Sequence, residues 1–410
     1  MNRNKKCVDA FVFILVSFSA VIADEVKRQD VHSQASFVFA TNEVEVAITK
    51  AGAHMAPVVF FRDSSNPVQP YHISPWQDEK PSEMPAPVLN TLRGDFFCMP
   101  FGGNAEEVVG EKHPPHGEIV SEPWHVLNLK KTSDITTLAL GIDTKVRKGN
   151  IVKELSLIDG QNVVYSRSTI EGFSGRVPLG HHATLAMPEK EGAVRIATSP
   201  FRFGMTYPSV FSDPKKREYQ ALLPGAKWSD LTKVPVMWKD APHADLTRLP
   251  ARYGYADLIQ IVNEPWDKIN HPAWTTATFQ QAGYVWFSLK DSAVLNSTVF
   301  WMENHGRHGH PWNGRNNCLG LEDVTSFFAD GIATSISDNI LNQMGVSTTV
   351  TLSADKPTIV NYIQGVARIP EDFENVQSLE FLTGALTIIS TTGKRVHVPV
   401  RHEFLRSGKL

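Results

Sequence analysis

Short runs of β-branched and aromatic residues, separated by turn-forming residues, recur along the chain from about residue 35 to its end. Each run is long enough for one strand, and few stretches between the runs have a helical apolar period. The runs are FVFA, EVEVAITK, ITTLALGI, NVVYSRSTI, AVRIATS, TTATFQQAGYVWFSL and STVFWMEN. An α/β fold would need a helix between most strands, so the pattern predicts an all-β protein, a large sandwich of packed antiparallel sheets.

The clearest local signal is a hairpin near the end of the chain. ALTIIST and RVHVPVRHEF flank a Thr-Gly-Lys turn, and their alternation places Val396, Val398 and Val400 on one face. Only SDNILNQMGV and DVTSFFADGI are candidates for short helices. The sequence has no repeat of the kind that marks solenoids or propellers, so we expect a single domain over residues 35–408.

Residues 204–275 interrupt this rhythm with prolines, tryptophans and charged residues, as in MWKDAPHADLTRLPARY. We predict a loop-rich insertion here. A long loop segment inside a compact domain is usually functional, and aromatic side chains at the rim of a sandwich are suited to hold the flat apolar face of a ligand. An insertion that packs a small core of its own is the alternative, and the sequence leaves both open.

Residues 1–23 have the pattern of a secretory signal peptide. The basic segment MNRNKK precedes the apolar run AFVFILVSFSAVIA, which is too short to span a membrane comfortably, and Val21 and Ala23 fit a small-residue cleavage site. Cleavage would leave a periplasmic or secreted protein, and an uncleaved anchor is the alternative. The whole chain has a formal net charge of −3 without a Lys/Arg cluster, so we expect no nucleic-acid partner and no membrane partner after cleavage.

Cysteine usage excludes a disulfide-rich scaffold. Of the three cysteines in the sequence, Cys7 lies in the predicted signal peptide, which leaves Cys98 and Cys318. These two could pair in an oxidising compartment or remain free buried thiols. Both interpretations stay open because the sequence does not give the separation of the two residues.

Four segments concentrate ionisable and small residues, and each is interrupted by glycine or proline. They are LRGDFFCMPFGGN (92–104), HPPHGEIVSEPW (113–124), PLGHHATLAMP (178–188) and ENHGRHGHPWNGRNNCLGLEDVTSFF (303–328). Such composition is typical of places where the backbone turns sharply and side chains converge, although ordinary strand ends share it.

The histidines in these segments raise the question of a metal. His305, His308 and His310 lie close together in the sequence, but no spacing matches a recognised zinc pattern. We therefore expect no metal site, and a metal-dependent hydrolase or lyase built on these histidines remains an alternative.

Proton transfer is the stronger interpretation, because carboxylates and imidazoles act as base and acid near neutral pH. Glu322 follows an apolar, strand-like run in CLGLEDV. If its side chain points inward, loss of solvation raises its pKa and suits it to general-base catalysis. A surface glutamate beside Asp323 is the alternative.

Taken in chain order, the four segments resemble the galactose mutarotase-like (aldose 1-epimerase) superfamily, and in motif they are most similar to hexose-6-phosphate mutarotase-like proteins. HGEIVSEPW resembles the family's HGFARNRPW-type motif, with His116 at its head and Trp124 at its tail. RGDFFCMPFGGN is similar to the Arg-Gly-Gly segment upstream of that motif. LGHHATLAM is similar to the second-histidine segment, with His182 in the register of the family histidine. CLGLEDV resembles GLCLETQ, in which the glutamate is catalytic; here it is Glu322.

This resemblance implies a galactose mutarotase-like supersandwich and an isomerase that interconverts the anomers of an aldose without a cofactor. It implies that Glu322 removes the proton of the anomeric hydroxyl, that His182 protonates the ring oxygen and that His116 stabilises the developing charge. Candidates for binding sugar hydroxyls are Arg93, Asp95, Asn304, Arg307, Asn313 and Arg315, and candidates for stacking on a sugar face are Trp312, Trp124 and Trp301.

The sequence also departs from the family pattern. Val120 occupies the position of the arginine in HGFARN, which disfavours a phosphorylated hexose. The expected partner is a mono- or oligosaccharide. A carbohydrate-binding protein without catalytic activity, or one that assists in processing polysaccharides, is the alternative that keeps the same fold.

Overall fold

The computed structural model describes residues 26–79, 82–240 and 243–410. Antiparallel β-sheets dominate these residues, which confirms the all-β prediction. The predicted signal peptide at residues 1–23 lies outside the described residues, so export remains a prediction.

The described residues form 28 strands. In chain order they are β1 (Lys27–Val31), β2 (Gln34–Ala40), β3 (Val44–Thr49), β4 (Met55–Phe60), β5 (Phe97–Cys98), β6 (His125–Lys131), β7 (Ile135–Thr144), β8 (Gly149–Ile158), β9 (Val163–Glu171), β10 (Gly175–Val177), β11 (Leu179–His181), β12 (Ala183–Ala186), β13 (Val194–Thr198), β14 (Phe201–Thr206), β15 (Lys227–Trp228), β16 (Val234–Pro235), β17 (His243–Ala244), β18 (Arg248–Leu249), β19 (Tyr255–Asn263), β20 (Ala273–Phe279), β21 (Tyr284–Lys290), β22 (Ser297–Asn304), β23 (Asn317–Thr325), β24 (Val350–Leu352), β25 (Thr358–Arg368), β26 (Val376–Leu382), β27 (Ala385–Ser390) and β28 (Arg395–Pro399).

The α-helices of the described residues are short, with four or five residues each. The α-helices are α1 (Trp266–Ile269), α2 (Ile332–Ile336), α3 (Ile340–Gln343) and α4 (Phe404–Ser407), and single 3₁₀ turns occur at Pro87–Asn90, Glu118–Val120, Pro214–Lys216 and Gln280–Ala282. Within the described part of the chain, none of the helices has the length and apolar character that crossing a membrane requires.

Two large sheets form the body of the fold. One has the strand order β15-β14-β19-β22-β23-β11-β5, with β12 also paired to β23, and the other has the order β18-β13-β20-β21-β25-β9-β8-β7-β6. Side chains from both sheets, such as Phe300 of β22 and Trp286 of β21, belong to one buried apolar cluster. The sheet β26-β27-β28 covers the other face of the second sheet, where Phe287 packs in a cluster with Leu386 and Val398. Alternate side chains of β21 therefore serve two separate cores.

A charged pair is buried where the two large sheets meet. Lys290 at the end of β21 lies 2.6 Å from the Asp323 carboxylate in β23, and both side chains are 1% exposed. Ser288, Thr298 and Tyr362 each donate a hydroxyl hydrogen bond to the same carboxylate, at 2.8, 2.7 and 2.8 Å. We call these five residues the buried charge cluster. It fixes one face of β23, the strand that carries Glu322 on its other face.

The predicted strands are present. Every apolar run identified from the sequence contains a strand, and the predicted terminal hairpin is β27 and β28, with Leu386 paired to Val398. Of the two predicted helices, SDNILNQMGV contains α3. The prediction for DVTSFFADGI is wrong: its first residues finish β23 and a turn precedes α2. Pairing of Val324 and Thr325 to β11 decides the local structure there.

The predicted insertion is shorter than residues 204–275. β19 and β20 are internal strands of the two large sheets, so the loop-rich part is confined to residues 207–254. Most residues of β19 and all residues of β20 are buried. Strands covered on both faces lack the alternation of apolar and polar residues that identifies a strand in a sequence.

The two cysteines of the body of the protein are not paired. Cys98 lies in β5 and Cys318 in β23, and both are buried free thiols. The sequence left open a disulfide or two free buried thiols, and the structure has the free thiols.

Candidate active site

A cavity of about 600 Å³ opens on the outer face of the first large sheet and contains all three predicted catalytic residues. His116, His182 and Glu322 each form part of its wall. They come from three distant parts of the chain. The volume falls within the range of ~300–1,000 Å³ that is typical of small-molecule sites.

Strand geometry directs Glu322 into this cavity. Its neighbours in β23, Leu321 and Asp323, point into the core between the sheets, so the alternation of the strand turns Glu322 the other way. Gly320 lies on the same face, and a Cβ there would lie 2.6 Å from Glu322 Oε1. The glycine therefore makes room for the carboxyl group, and Trp301 of β22 pairs directly opposite it.

Burial dominates the electrostatics of Glu322. The residue is 2% exposed, and loss of solvation raises its pKa to about 8, against a smaller opposing effect of the positive charge of Arg307. The carboxyl group is therefore mostly protonated at neutral pH.

His182 interrupts the edge of the same sheet and contacts Glu322. It lies between β11 and β12, where its backbone N–H donates to Phe96 O at 2.9 Å and its ring stacks on the Phe96 ring at 4.6 Å. Its Nε2 is 3.2 Å from Glu322 Oε1, and its Nδ1 is 3.1 Å from Thr184 Oγ1. Burial, and then repulsion from His116, lower its pKa well below 6.5.

The hydrogen bonds around His182 assign its tautomer. The Thr184 hydroxyl donates to the His182 carbonyl at 3.5 Å, so its oxygen accepts from Nδ1–H. Nε2 then carries no proton, and Glu322 Oε1, 3.2 Å away, is close enough to donate to it when the carboxyl group is protonated. The raised pKa of Glu322 and the lowered pKa of His182 agree with this assignment. The pair therefore holds one proton at neutral pH, and the proton rests on Glu322.

His116 completes the group in a fixed orientation. Its φ is 63°, its N–H donates to Gly102 O at 2.7 Å, and its Nδ1 accepts from Gly102 N at 3.4 Å. Gly117 follows with φ 87°, where a Cβ would lie 2.1 Å from Met99 O. Burial lowers the pKa of His116 to about 4. The ring is therefore neutral and carries its hydrogen on Nε2, and it meets the His182 ring edge-on at 5.0 Å.

Replacement of Thr184 by valine tests the tautomer assignment. Thr184→Val removes the acceptor of Nδ1–H and leaves a buried donor unpaired, which costs about 1–3 kcal/mol. We expect Thr184→Val to lower the free energy of unfolding by about this amount and to shift the ring nitrogen NMR signals of His182, while Thr184→Ser, which keeps the hydroxyl, retains the wild-type values. Equal His182 signals in the valine and serine variants would show that Thr184 does not orient the ring.

Two of the predicted sugar-binding residues also line the cavity. The Arg307 guanidinium lies over the rings of Trp301 and Trp312, at 5.6 and 5.2 Å from their centres, and its Nε is 3.6 Å from Glu303. Trp312 meets Trp301 edge-on at 5.7 Å. Trp301, the third of the predicted stacking candidates, is part of the same wall.

Arg93 and Asp95 do not line the cavity, which corrects the prediction that they bind sugar hydroxyls. Both are 1% exposed. Arg93 donates to two backbone oxygens of the first hairpin and to Gln77 Oε1. Asp95 accepts from His181 Nδ1 at 2.9 Å; burial alone would raise its pKa, but His181 and Lys153 lower it below its ordinary value. Arg93 and Asp95 therefore make hydrogen bonds within the interior of the protein and do not face the cavity.

The remaining predicted binding residues also lie outside the cavity wall. Asn304 donates to Ala251 O at 2.7 Å, and Arg315 pairs with Glu79. Asn313 adopts φ 51° in a turn and does not line the cavity. Trp124 is 1% exposed and donates to Ile119 O at 2.8 Å, so the prediction of sugar stacking is wrong for this tryptophan. Local polarity in the sequence did not distinguish turns from cavity walls.

The histidine cluster does not form a ligand set. Within residues 26–79, 82–240 and 243–410, no three His, Cys, Asp or Glu side chains are arranged to hold a metal ion. His305 binds Gly314 O at 2.9 Å and stacks on Tyr253 at 4.7 Å, whereas His310 lines the cavity. The hypothesis of a metal-dependent hydrolase or lyase therefore lacks a site in this part of the chain.

Several cavity residues were not predicted from the sequence. Thr184 orients His182, and Asp257, Tyr207, Glu218 and Tyr219 form part of the wall. Asp257 is 4% exposed and accepts from two backbone N–H groups of the 207–254 loops; burial raises its pKa to about 7. Thr184 lies in the segment PLGHHATLAMP, but for the four wall residues the only signal was the unusual composition of the predicted insertion, which did not indicate which side chains face inward.

Comparisons with known proteins agree with this architecture. No family model matches the sequence, and no curated protein matches it. Among solved structures, a protein from Klebsiella pneumoniae provisionally named an aldose 1-epimerase is 9% identical, with a TM-score of 0.57 and coverage of 84% of each chain. A galactose mutarotase-like protein from Clostridium acetobutylicum is 12% identical, with a TM-score of 0.52 and coverage of 85% of this chain and 99% of its own.

A third structure is a galactose mutarotase related enzyme from Lactobacillus acidophilus. It is 12% identical, with a TM-score of 0.51, and the match covers 83% of this chain and 99% of that one. At such low identities the similarity concerns the fold, and activity has to be argued from the site itself. By its sheets and by these comparisons, the chain has the galactose mutarotase-like fold.

Proposed function

We propose that the protein interconverts the anomers of a neutral aldose, as an aldose 1-epimerase does. One observation carries the proposal: His116, His182 and Glu322 meet in a single cavity, and His182 Nε2 lies 3.2 Å from Glu322 Oε1. Ring opening of a hemiacetal needs one group that gives a proton and one that takes a proton at the same time. A buried pair that holds one proton supplies both.

The resting proton sets the roles in ring opening. The sequence led us to expect Glu322 as the base, but its protonated state makes it the acid. Glu322 donates its proton to the ring oxygen, the bond from C1 to that oxygen breaks, and His182 Nε2 takes the proton of the anomeric hydroxyl as the C1 carbonyl forms. After rotation about the C1–C2 bond, Glu322 takes its proton back from the attacking hydroxyl and His182 returns the other one. All proton transfers in this ring opening and closure occur between the sugar and these two side chains, so the scheme requires no cofactor.

His116 has a separate role in this scheme. Its neutral ring carries a hydrogen on Nε2, and we propose that it donates this hydrogen to the sugar oxygen on which negative charge develops. A donor held in place before the reaction stabilises such charge without reorganisation. The fixed backbone of His116 and its bond to Gly102 provide that orientation.

The charges of the wall favour a neutral sugar. Glu218, Asp257 and Asp330 line the cavity, whereas Arg307 is the only lysine or arginine among the described residues of its wall, and its Nε lies 3.6 Å from Glu303. A phosphate or carboxylate on the sugar would meet acidic side chains and a single arginine that already lies beside a carboxyl group. A hexose 6-phosphate, the substrate class of the most similar motif, is therefore disfavoured.

Exchange NMR of sugars at anomeric equilibrium tests the proposal. With a panel of neutral aldoses, we expect wild-type protein to speed the α–β exchange of at least one sugar above its spontaneous rate, and Glu322→Gln to return it to the spontaneous rate. Spontaneous exchange for every sugar with the wild type would refute the activity. Sugar binding without faster exchange would instead support the carbohydrate-binding alternative.

The shared proton predicts a characteristic pH dependence. The Glu322–His182 pair loses its only proton as Glu322 ionises, so we expect kcat/KM to fall above about pH 8. On the acid side, activity falls only when His182 gains a second proton, which requires a pH well below 6.5 because the pKa of His182 is lowered. Initial exchange rates measured over a pH series show both the acid and the alkaline decrease in activity. A rise of activity through pH 8 would contradict this scheme, because it would make ionised Glu322 the active form.

A further inference from the structure

The cavity extends beyond the three catalytic candidates into an aromatic outer part. Glu322, His182 and Trp301 are 2%, 5% and 8% exposed, whereas Phe211 and Tyr219 in the same wall are 36% and 40% exposed. Burial thus marks an inner end at Glu322 and an open end at the 207–254 loops. We call the part lined by Tyr207, Phe211 and Tyr219 the outer subsite.

We propose that the outer subsite binds the second sugar residue of a neutral oligosaccharide whose reducing end reaches Glu322. The proposal rests on the proposed function and names its substrate class. A single pyranose is only about half the size of the ligands for which cavities of ~300–1,000 Å³ are typical, and this cavity measures about 600 Å³. A monosaccharide at Glu322 would leave the aromatic end unfilled.

The outer subsite is rigid enough to bind a sugar without first being ordered. The N–H of Phe211 donates to Gln220 Oε1 at 2.9 Å, and the Asp257 carboxylate accepts from the backbone at Ala221 and Leu222. Tyr207 meets Phe211 edge-on at 5.7 Å. Exposed aromatic rings on a fixed loop present apolar faces at little entropic cost.

A buried donor in the wall lacks a partner. Trp301 is 8% exposed, and within the described residues its Nε1–H makes no hydrogen bond. Buried indole N–H groups are normally paired. The Trp301 ring contacts His182 on one side and Trp312 on the other, so it joins the inner end of the cavity to the rest of its wall.

Chain-length preference tests the proposal. Mutarotation rates would be measured for glucose, galactose and mannose, and for neutral reducing di- and trisaccharides built from them. We expect kcat/KM for the best oligosaccharide to exceed that of its reducing-end monosaccharide by about tenfold or more, the order of one or two aromatic contacts. Phe211→Ala and Tyr219→Ala should remove most of this advantage and leave the monosaccharide rate within about twofold.

Tyr253→Ala is the matched control, because Tyr253 is 59% exposed and lies outside the cavity wall. It should leave both classes of substrate unchanged. Two results would refute the outer subsite without refuting the mutarotase activity. One is that no oligosaccharide is preferred; the other is that Phe211→Ala and Tyr219→Ala lose equal activity on mono- and oligosaccharides. If no sugar is turned over, the proposed function fails, and calorimetric titration with the same oligosaccharides decides: binding weakened by Tyr219→Ala supports the subsite, and no binding overturns it.

Discussion

Glu322→Gln is expected to abolish the proposed mutarotation and, at the same time, to stabilise the folded protein. Glutamine has the shape of the protonated carboxyl and donates to His182 Nε2 in its place, but it has no transferable proton. Loss of general acid–base catalysis costs about 10²–10⁴-fold in rate. We therefore expect the catalysed rate to fall by at least that factor while the fold is retained.

The gain in stability follows from proton linkage. Glu322 has a folded pKa of about 8 against an ordinary value of 4.5. Between these two values the unfolded chain is ionised while the folded chain keeps its proton, so the free energy of unfolding decreases as pH rises, by up to about 1.4 kcal/mol per pH unit. The destabilisation caused by ionising the buried Glu322 carboxyl is absent below pH 4.5 and fully present above pH 8. Glutamine does not ionise, so the variant avoids it.

Denaturant unfolding of both proteins over this pH range measures the effect. The stability difference in favour of Glu322→Gln should grow from about pH 4.5 and level off near pH 8. Glu371→Gln, which changes an exposed glutamate, is the matched control and should show no such growth. A variant that is less stable than the wild type at neutral pH would mean that the Glu322 carboxyl is ionised and stabilised in the folded protein.

Lys290→Met is expected to be among the most destabilising single substitutions in this chain. It removes one partner of the buried charge cluster and leaves the Asp323 carboxylate 1% exposed without its cation. Breaking a buried ion pair in this way costs about 3–5 kcal/mol, because the remaining charge has neither solvent nor partner. Burial already lowers the pKa of Lys290, which shows how strongly this environment opposes an isolated charge.

The double variant Lys290→Met/Asp323→Asn separates this cause from lost packing. Without the carboxylate there is no uncompensated charge, so the double variant should recover a large part of the lost free energy of unfolding. Chemical denaturation of the wild type, the single variant and the double variant gives the three values. If the double variant is as unstable as Lys290→Met, the loss came from packing, and the buried charge was not its cause.

The strands could be predicted from the sequence because each carries its signal in a few adjacent residues. ITTLALGI and STVFWMEN alternate or bury enough apolar residues to indicate a strand without knowledge of the partner strand. β19 was assigned to a loop-rich insertion because it is buried on both faces and lies between segments rich in proline and tryptophan.

The direction of side chains was harder to predict. The position of Glu322 after an apolar run made it a candidate, but a single glutamate there fits a surface position equally well, and the family resemblance was needed to favour the inward orientation. Its burial depends on Gly320 and on pairing with β22. Arg93 and Asp95 look like surface residues of a polar loop, but the first hairpin and His181 enclose them. Contacts between segments so distant in sequence leave no trace in local composition.

Difference infrared spectroscopy of wild type against Glu322→Gln shows whether Glu322 carries the single proton of the buried pair in the cavity that holds His116. We expect the carbonyl band of a neutral carboxylic acid at about pH 6 to 7, absent from the variant and lost from the wild type above about pH 8. An ionised carboxylate band for Glu322 throughout the neutral range would contradict it.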